Sequence, residues 1–194
     1  MPQRHRNGDT ASSILDSAER LVQQRGFNGF SYADVAEELG VTKASLHYHF
    51  AGKAELGQAL IERYAQRFTA ALADVDARID DPAAKLDAYA GLYGEVLRNG
   101  RMCLCGMLAA EYETLPEAMR RAMIAFFDEN EAWLEGVLEE GRRRKTLNFS
   151  GPACEPARDI VAALEGAMLV ARPYGDVARF QAAADRLLAG FARP

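Results

Sequence analysis

The sequence predicts an all-α protein, and three observations carry that prediction. Apolar residues recur with the 3.6-residue period of an amphipathic helix along nearly the whole chain. No stretch alternates apolar and polar residues between turn residues, and glycine, proline and capping residues divide the chain into about nine segments of helical length. At 194 residues, with 49% hydrophobic and 26% charged side chains, the chain can bury a core and lies far from the composition of disorder. There is no internal repeat and no low-complexity segment.

The first helix is expected from about residue 11 to 24, where Ile14, Leu15, Ala18, Leu21 and Val22 form one stripe, Thr10 or Ser12 can cap the start and Gly26 closes the end. After the turn 26–30, Ser31 and Asp34 stand at capping-box spacing, and Val35, Ala36 and Leu39 give a second, two-turn helix its inner face. Gly40 then breaks the chain, and Thr42 is placed to cap a third helix, 43–50, with Leu46 and Phe50 as its buried pair. A short helix, a glycine turn and a second short helix make a helix-turn-helix.

A long fourth helix follows over 53–80, with Leu56, Leu60, Tyr64, Phe68, Leu72, Val75 and Ile79 in register. Pro82 suits a first helical turn, and further helices are expected near 82–98, 102–113, 116–145, 157–172 and 177–191. Thr114, Pro116 and Glu117 mark the start of the seventh as a capping Thr, an early proline and a Glu three residues after the Thr. These elements divide into a helix-turn-helix domain, residues 1–53, joined through the long helix to a larger helical body, 54–194.

The charge balance sets limits. The net charge is −5, yet residues 1–53 hold six Lys/Arg and six Asp/Glu, so the excess acid lies beyond them. Any nucleic-acid contact must therefore rest on a local surface. The chain has no apolar run of roughly 18 residues that could span a bilayer, and its polar N-terminus has no apolar stretch behind it, so a cytoplasmic protein without membrane association is expected. Cys103, Cys105 and Cys154 form no disulfide framework.

The third helix carries the chemistry of a major-groove reader, a role in which N-terminal residues meet base edges. Lys43, Ala44 and Ser45 stand there: a cation for guanine acceptors or phosphate, a small residue for close approach, and a hydroxyl. Thr42, His47, Tyr48 and His49 suit phosphates on either side, and Lys53 adds a cation at the next helix start. The Arg4-His5-Arg6 arm supplies a weaker electrostatic contribution. His47 and His49, at i and i+2, point apart and do not suit a metal.

The run from Phe30 to Phe50, FSYADVAEELGVTKASLHYHF, followed by Lys53-x-Glu55-Leu56, resembles the DNA-binding signature of the TetR family. The resemblance covers roughly residues 11–60 and is densest over 30–56; His47 departs from it, standing where the family usually has Tyr. It implies a third helix in the major groove, phosphate contacts from the aromatic and histidine residues and the lysine after them, and a divergent body that dimerises and binds an inducer. Carried onto this chain, the DNA-binding roles fall on Thr42, Lys43, Ala44, Ser45, His47, Tyr48, His49 and Lys53. A palindromic double-stranded DNA operator and a small-molecule effector are the implied partners, and the resemblance implies a repressor released by that effector.

The body is rich in side chains that line apolar pockets: Tyr89, Tyr93, Met102, Cys103, Cys105, Met107, Tyr112, Met123, Phe127, Trp133 and Met168 are candidates, although a helical core uses the same types. Cys103 or Cys105, near Arg101 and the start of the sixth helix, could be a reactive thiol or an inert core residue. The last two helices, with Ala162, Ala163, Gly166 and Ala167 allowing close approach, suit an isologous homodimer interface. Arg142-Arg143-Arg144-Lys145 reads as a helix C-terminus rather than a DNA contact. No cofactor is implied. Nucleophile-elbow, P-loop and zinc-protease motifs are all missing, so an enzyme is not expected.

Overall fold

The computed structural model describes residues 7–191; the Arg4-His5-Arg6 arm lies outside the described residues. These fold into α1 (Asn7–Arg25), α2 (Tyr32–Leu39), α3 (Lys43–His49), α4 (Lys53–Arg78), α5 (Pro82–Arg98), α6 (Leu104–Ala109), α7 (Glu117–Arg144), α8 (Cys154–Ala171) and α9 (Val177–Ala189), with single 3-10 turns at Tyr112–Thr114 and Arg172–Tyr174 and no β-strand among the described residues.

Several boundaries differ from the sequence reading. α1 is already helical at Asn7, so Thr10 and Ser12 are interior residues and not caps. The expected helix 102–113 divides into α6 and the first 3-10 turn. Its N–H groups at Ala110 and Glu111 close onto Gly106 and Leu108, and the Thr114 hydroxyl donates to the Glu111 carbonyl at 2.8 Å. Thr114 thus closes this turn, and the capping role expected of it at α7 is not filled. α4 stops at Arg78, and α8 starts earlier than expected, at Cys154.

The chain packs as two compact units. One holds the described residues through Ala65 together with Leu104–Met123. Its core is Ile14, Ala18, Leu21, Val22, Phe27, Val35, Leu46, Leu56, Leu60, Ile61, Leu104, Leu108 and Met119, all buried. α6 and the first two turns of α7, which a division at residue 53 assigns to the body, belong to this unit, and α6 packs on α1. The other unit holds Gln66–Cys103 and the described residues from Ile124 onward. Here α5, α8 and α9 pack together, burying Leu86, Tyr89, Tyr93, Ile160, Leu164, Met168, Phe180 and Leu188.

The α2–α3 corner follows its local chemistry closely. Ser31 caps α2 by accepting from the Ala33 N–H at 3.2 Å, while the Asp34 carboxylate accepts the Ser31 N–H at 2.7 Å. The Ser31 hydroxyl also donates to this carboxylate, at 2.6 Å, and with the Ser31 N–H it holds the Asp34 carboxyl below its ordinary range. Gly40 takes φ 63°, a left-handed conformation that glycine adopts without a Cβ penalty, and its N–H closes onto Ala36 and Glu37. Thr42 then caps α3 through Ser45 at 3.2 Å. The Arg142–Lys145 run ends α7, with Arg144 on Asp80 and Glu140.

Candidate nucleic-acid interface and effector site

α3 has two faces. Leu46 is fully buried and Phe50 nearly so, and the Phe50 carbonyl accepts the Tyr32 hydroxyl at 3.0 Å, which fixes how α3 sits on α2. On the other side Thr42, Lys43, Ala44, His47 and Tyr48 are exposed, with Ser45 and His49 half-buried. Tyr48 is 74% exposed, an unusual position for a large aromatic ring that could have been buried. Its edge-to-face contact with His49, at 5.1 Å between centroids, is local to the helix end.

His47 is held more firmly. Its ring packs on Tyr32 at 4.8 Å, and Nδ1 lies 3.1 Å from the Ala51 carbonyl, so Nδ1 carries the proton and Nε2 is the nitrogen left to other partners. Lys53 departs from the free surface cation its sequence position suggested. The ammonium donates to the Phe30 carbonyl and stands over the rings of Phe27 and Phe30, at 4.7 and 4.4 Å from their centroids. Burial pulls its pKa below the ordinary lysine value.

The candidate pocket residues are divided between the two units. Cys105, Met107, Tyr112 and Met123 belong to the first unit. Within it Tyr112 is exposed, its ring covered by the Arg120 guanidinium at 4.8 Å. Tyr89, Tyr93, Met102, Cys103, Phe127, Trp133 and Met168 belong to the second. There Phe68 meets Tyr89, Tyr93 and Phe126 edge-on at 5.3–6.0 Å, and Trp133 stacks on Tyr89 at 5.7 Å. Phe127 is half-buried against Phe126, and Met102, Cys103 and Met168 are buried.

A polar chain runs through these rings. The Tyr89 hydroxyl donates to Asn130 Oδ1 at 3.1 Å, so the 3.1 Å contact between the tyrosine hydroxyls requires Tyr93 to donate to Tyr89. Asn130 Nδ2 in turn donates to the Phe126 carbonyl at 2.7 Å. Burial raises both tyrosine pKa values well above the ordinary one. Beside them the Cys103 thiol hydrogen-bonds the carboxyl of Glu165, whose Oε1 is buried with no hydrogen-bond partner. Burial pushes the Glu165 pKa up to about 7.

Sequence reasoning missed Glu165, Asn130 and Glu111. Glu165 stands next to Leu164, four residues after Val161 and three before Met168, so a carboxylate interrupting an apolar face was there to be noticed. Glu111 accepts the backbone N–H groups of Phe27 and Asn28, and nothing in its local sequence marks it for that role.

Residues 14–60 match the family model described as bacterial regulatory proteins, tetR family, and residues 82–187 match the tetracyclin repressor-like C-terminal domain. The HTH-type transcriptional repressor NemR of Escherichia coli (strain K12) is 31% identical over 175 residues, 87% of each chain. The HTH-type transcriptional regulator LmrA of Bacillus subtilis (strain 168) is 29% identical over 84% of this chain and 86% of its own. Among solved structures, a TetR-family regulator from Agrobacterium tumefaciens superposes with a TM-score of 0.93 at 34% identity, covering 97% of this chain and 100% of the other. The reduced form of E. coli NemR gives 0.84 at 28%, covering 96% and 98%. The exposed polar and aromatic face of α3, its helix-turn-helix setting and the matches at both ends of the chain lead to one conclusion: the protein is a member of the TetR family of bacterial transcriptional regulators.

Proposed function

We propose that this regulator is a repressor that binds a near-palindromic DNA operator as a homodimer and is released by a small molecule held in its C-terminal body. The observation that carries the reading is the outward face of α3, where Ala44, His47 and Tyr48 are exposed opposite the buried Leu46 and Phe50. Lys43, Ala44 and Ser45 meet base edges, while Thr42, His47, Tyr48 and His49 hold phosphates and set the register. One Lys53 donor is committed to Phe30, and the others reach a phosphate from that anchored position.

Dimerisation falls to α8 and α9. Leu169 and Val170 of α8 are exposed at 62% and 59%, beside the exposed small residues Ala162, Ala163 and Gly166, and α9 presents Ala182 and Ala183 outward. An isologous pairing of these helices covers that surface and places two α3 helices in successive major grooves about 34 Å apart. The domain division is functional: residues 1–53 read DNA and 54–194 sense and dimerise, with the long helix α4 shared. An effector shifts the population between operator-competent and incompetent states only as far as its affinities for the two differ. The tyrosine, methionine and tryptophan side chains of the second unit supply the effector's apolar contacts. Among the described residues no helix is long and apolar enough to cross a membrane, and we place the protein in the cytoplasm.

Selection of bound duplexes from a random library tests this reading. The wild-type protein recovers a palindromic site whose affinity falls steeply with salt, and Tyr48→Ala binds that site about tenfold more weakly. Recovery of no enriched sequence by the wild type overturns it.

A further inference from the structure

We propose that Glu165 is the charge-recognising residue of the effector site, and that the effector it selects is an aromatic ammonium cation. This inference rests on the reading of the body as an effector-binding domain and adds the chemical class of the ligand.

Three observations support it. Glu165 Oε1 is buried and lacks a hydrogen-bond partner. A buried polar atom left unpaired costs roughly 1–3 kcal/mol, which makes such an atom a natural point for a ligand donor. The neighbouring polar groups are already engaged: Tyr93 donates to Tyr89, Tyr89 to Asn130 and Asn130 to the Phe126 carbonyl, while the Cys103 thiol is committed to Glu165 itself. Within this cluster, Oε1 is therefore a buried acceptor without any hydrogen-bond partner, which a ligand donor can satisfy without breaking a bond.

The surroundings select the ligand's charge. The Glu165 carboxyl lies within electrostatic reach of both tyrosines, and Phe68, Tyr89, Tyr93 and Trp133 form a contiguous set of rings. Ring faces and a carboxylate both favour a cation, and an anionic ligand would meet a like charge. Trp133 also borders a groove of about 320 Å³ that includes Asp76, Lys85 and Val137. One ring thus faces both the groove and the buried cluster, with its Nε1 donating to Asp76 at 2.8 Å.

The test uses the full-length protein without DNA and three soluble probes of similar shape: 2-phenylethylammonium, neutral 2-phenylethanol and anionic 3-phenylpropionate. Titration calorimetry is expected to give saturable binding of the cation, roughly tenfold tighter than either other probe. Glu165→Gln loses about that factor for the cation and leaves the alcohol unchanged. Should that variant fold poorly, the wild type supplies a second reading. Around Glu165 stand Cys103, Tyr89 and Tyr93, and the tyrosines do not titrate near neutrality. Cation binding near pH 7 should therefore release a proton from the carboxyl, seen as a buffer-dependent heat that the alcohol does not produce. Cation binding no tighter than the alcohol, or equal in Glu165→Gln, overturns the proposal. If the same preparation still selects an operator, the repressor reading survives that failure.

Discussion

The Glu111 carboxylate accepts the backbone N–H of Phe27 at 2.5 Å, across 84 residues of sequence, and also takes the N–H of Asn28 at 3.1 Å. Asn28 Nδ2 donates to the Thr114 hydroxyl at 2.7 Å, so the turn after α6 grips the α1–α2 turn at three points. Phe27 is buried and one face of the Lys53 ammonium rests on its ring. The segment 104–123 thus packs in the same compact unit as the helix-turn-helix, and a change in the turn after α6 bears on the α1–α2 turn through these hydrogen bonds.

Glu111→Ala leaves two backbone donors without their acceptor, at a cost of about 1–3 kcal/mol in stability. Amide hydrogen exchange at Phe27 and Asn28 should accelerate in the variant, and operator affinity should fall with it. Unchanged protection at both amides would show that the carboxylate does not hold the turn.

Tyr48→Ala separates binding from folding. The ring is 74% exposed, so its removal should move stability by no more than roughly 0.5 kcal/mol. Loss of a hydrogen bond to a phosphate costs about 1.5 kcal/mol, about tenfold in operator affinity, and should weaken all sequences alike. Thermal melting and a binding titration on the same preparation check both halves. A melting shift of several degrees would make Tyr48 a structural residue instead.

Lys53→Met tests a residue with two duties. Replacing the ammonium by a thioether keeps the apolar stem near Phe27 and Phe30 and removes the bond to the Phe30 carbonyl, so stability should fall by about 1 kcal/mol. If the remaining donors reach a phosphate, the slope of log affinity against log salt should also drop by about 0.9. A fall in stability with an unaltered slope would assign Lys53 to the fold alone.

These residues also show where the sequence was legible. The α2–α3 corner is encoded locally: Ser31 with Asp34, Gly40 and Thr42 lie within a few residues of the groups they satisfy, so spacing alone predicted their bonds. The exposed face of α3 was legible for the same reason, since Leu46 and Phe50 fix the inward direction. Glu111 was not, because its partners are backbone amides more than 80 residues away and no periodicity marks such a bond. Lys53 was read from its place at a helix start, where a free cation is the ordinary expectation, and only tertiary packing brings Phe27 and Phe30 beneath it. The pocket candidates were chosen by residue type, which cannot separate Tyr112, on the surface under Arg120, from Tyr89 in the core.

Glu165 gives the last prediction its sign. Its carboxyl has a pKa near 4.5 when freely solvated, and burial raises it to about 7 in the folded protein. The native state therefore holds the proton more tightly than the unfolded chain, and stability is fully present below about pH 4.5. As pH rises from there toward 7 the carboxyl contribution is progressively lost, reaching roughly 3 kcal/mol above pH 7. Glu165→Gln keeps the size of the side chain and cannot ionise, so the variant should gain stability relative to the wild type as pH rises, from near zero at pH 4.5 toward that limit. Denaturant unfolding of both proteins at several pH values measures the difference directly, since other titrating groups cancel between them. A difference independent of pH would mean that the carboxyl is not desolvated in the folded protein. A growing one means the protein bears, at neutral pH, the cost of an ionised carboxyl in its aromatic core, and a bound cation that pairs with Oε1 would return part of that stability.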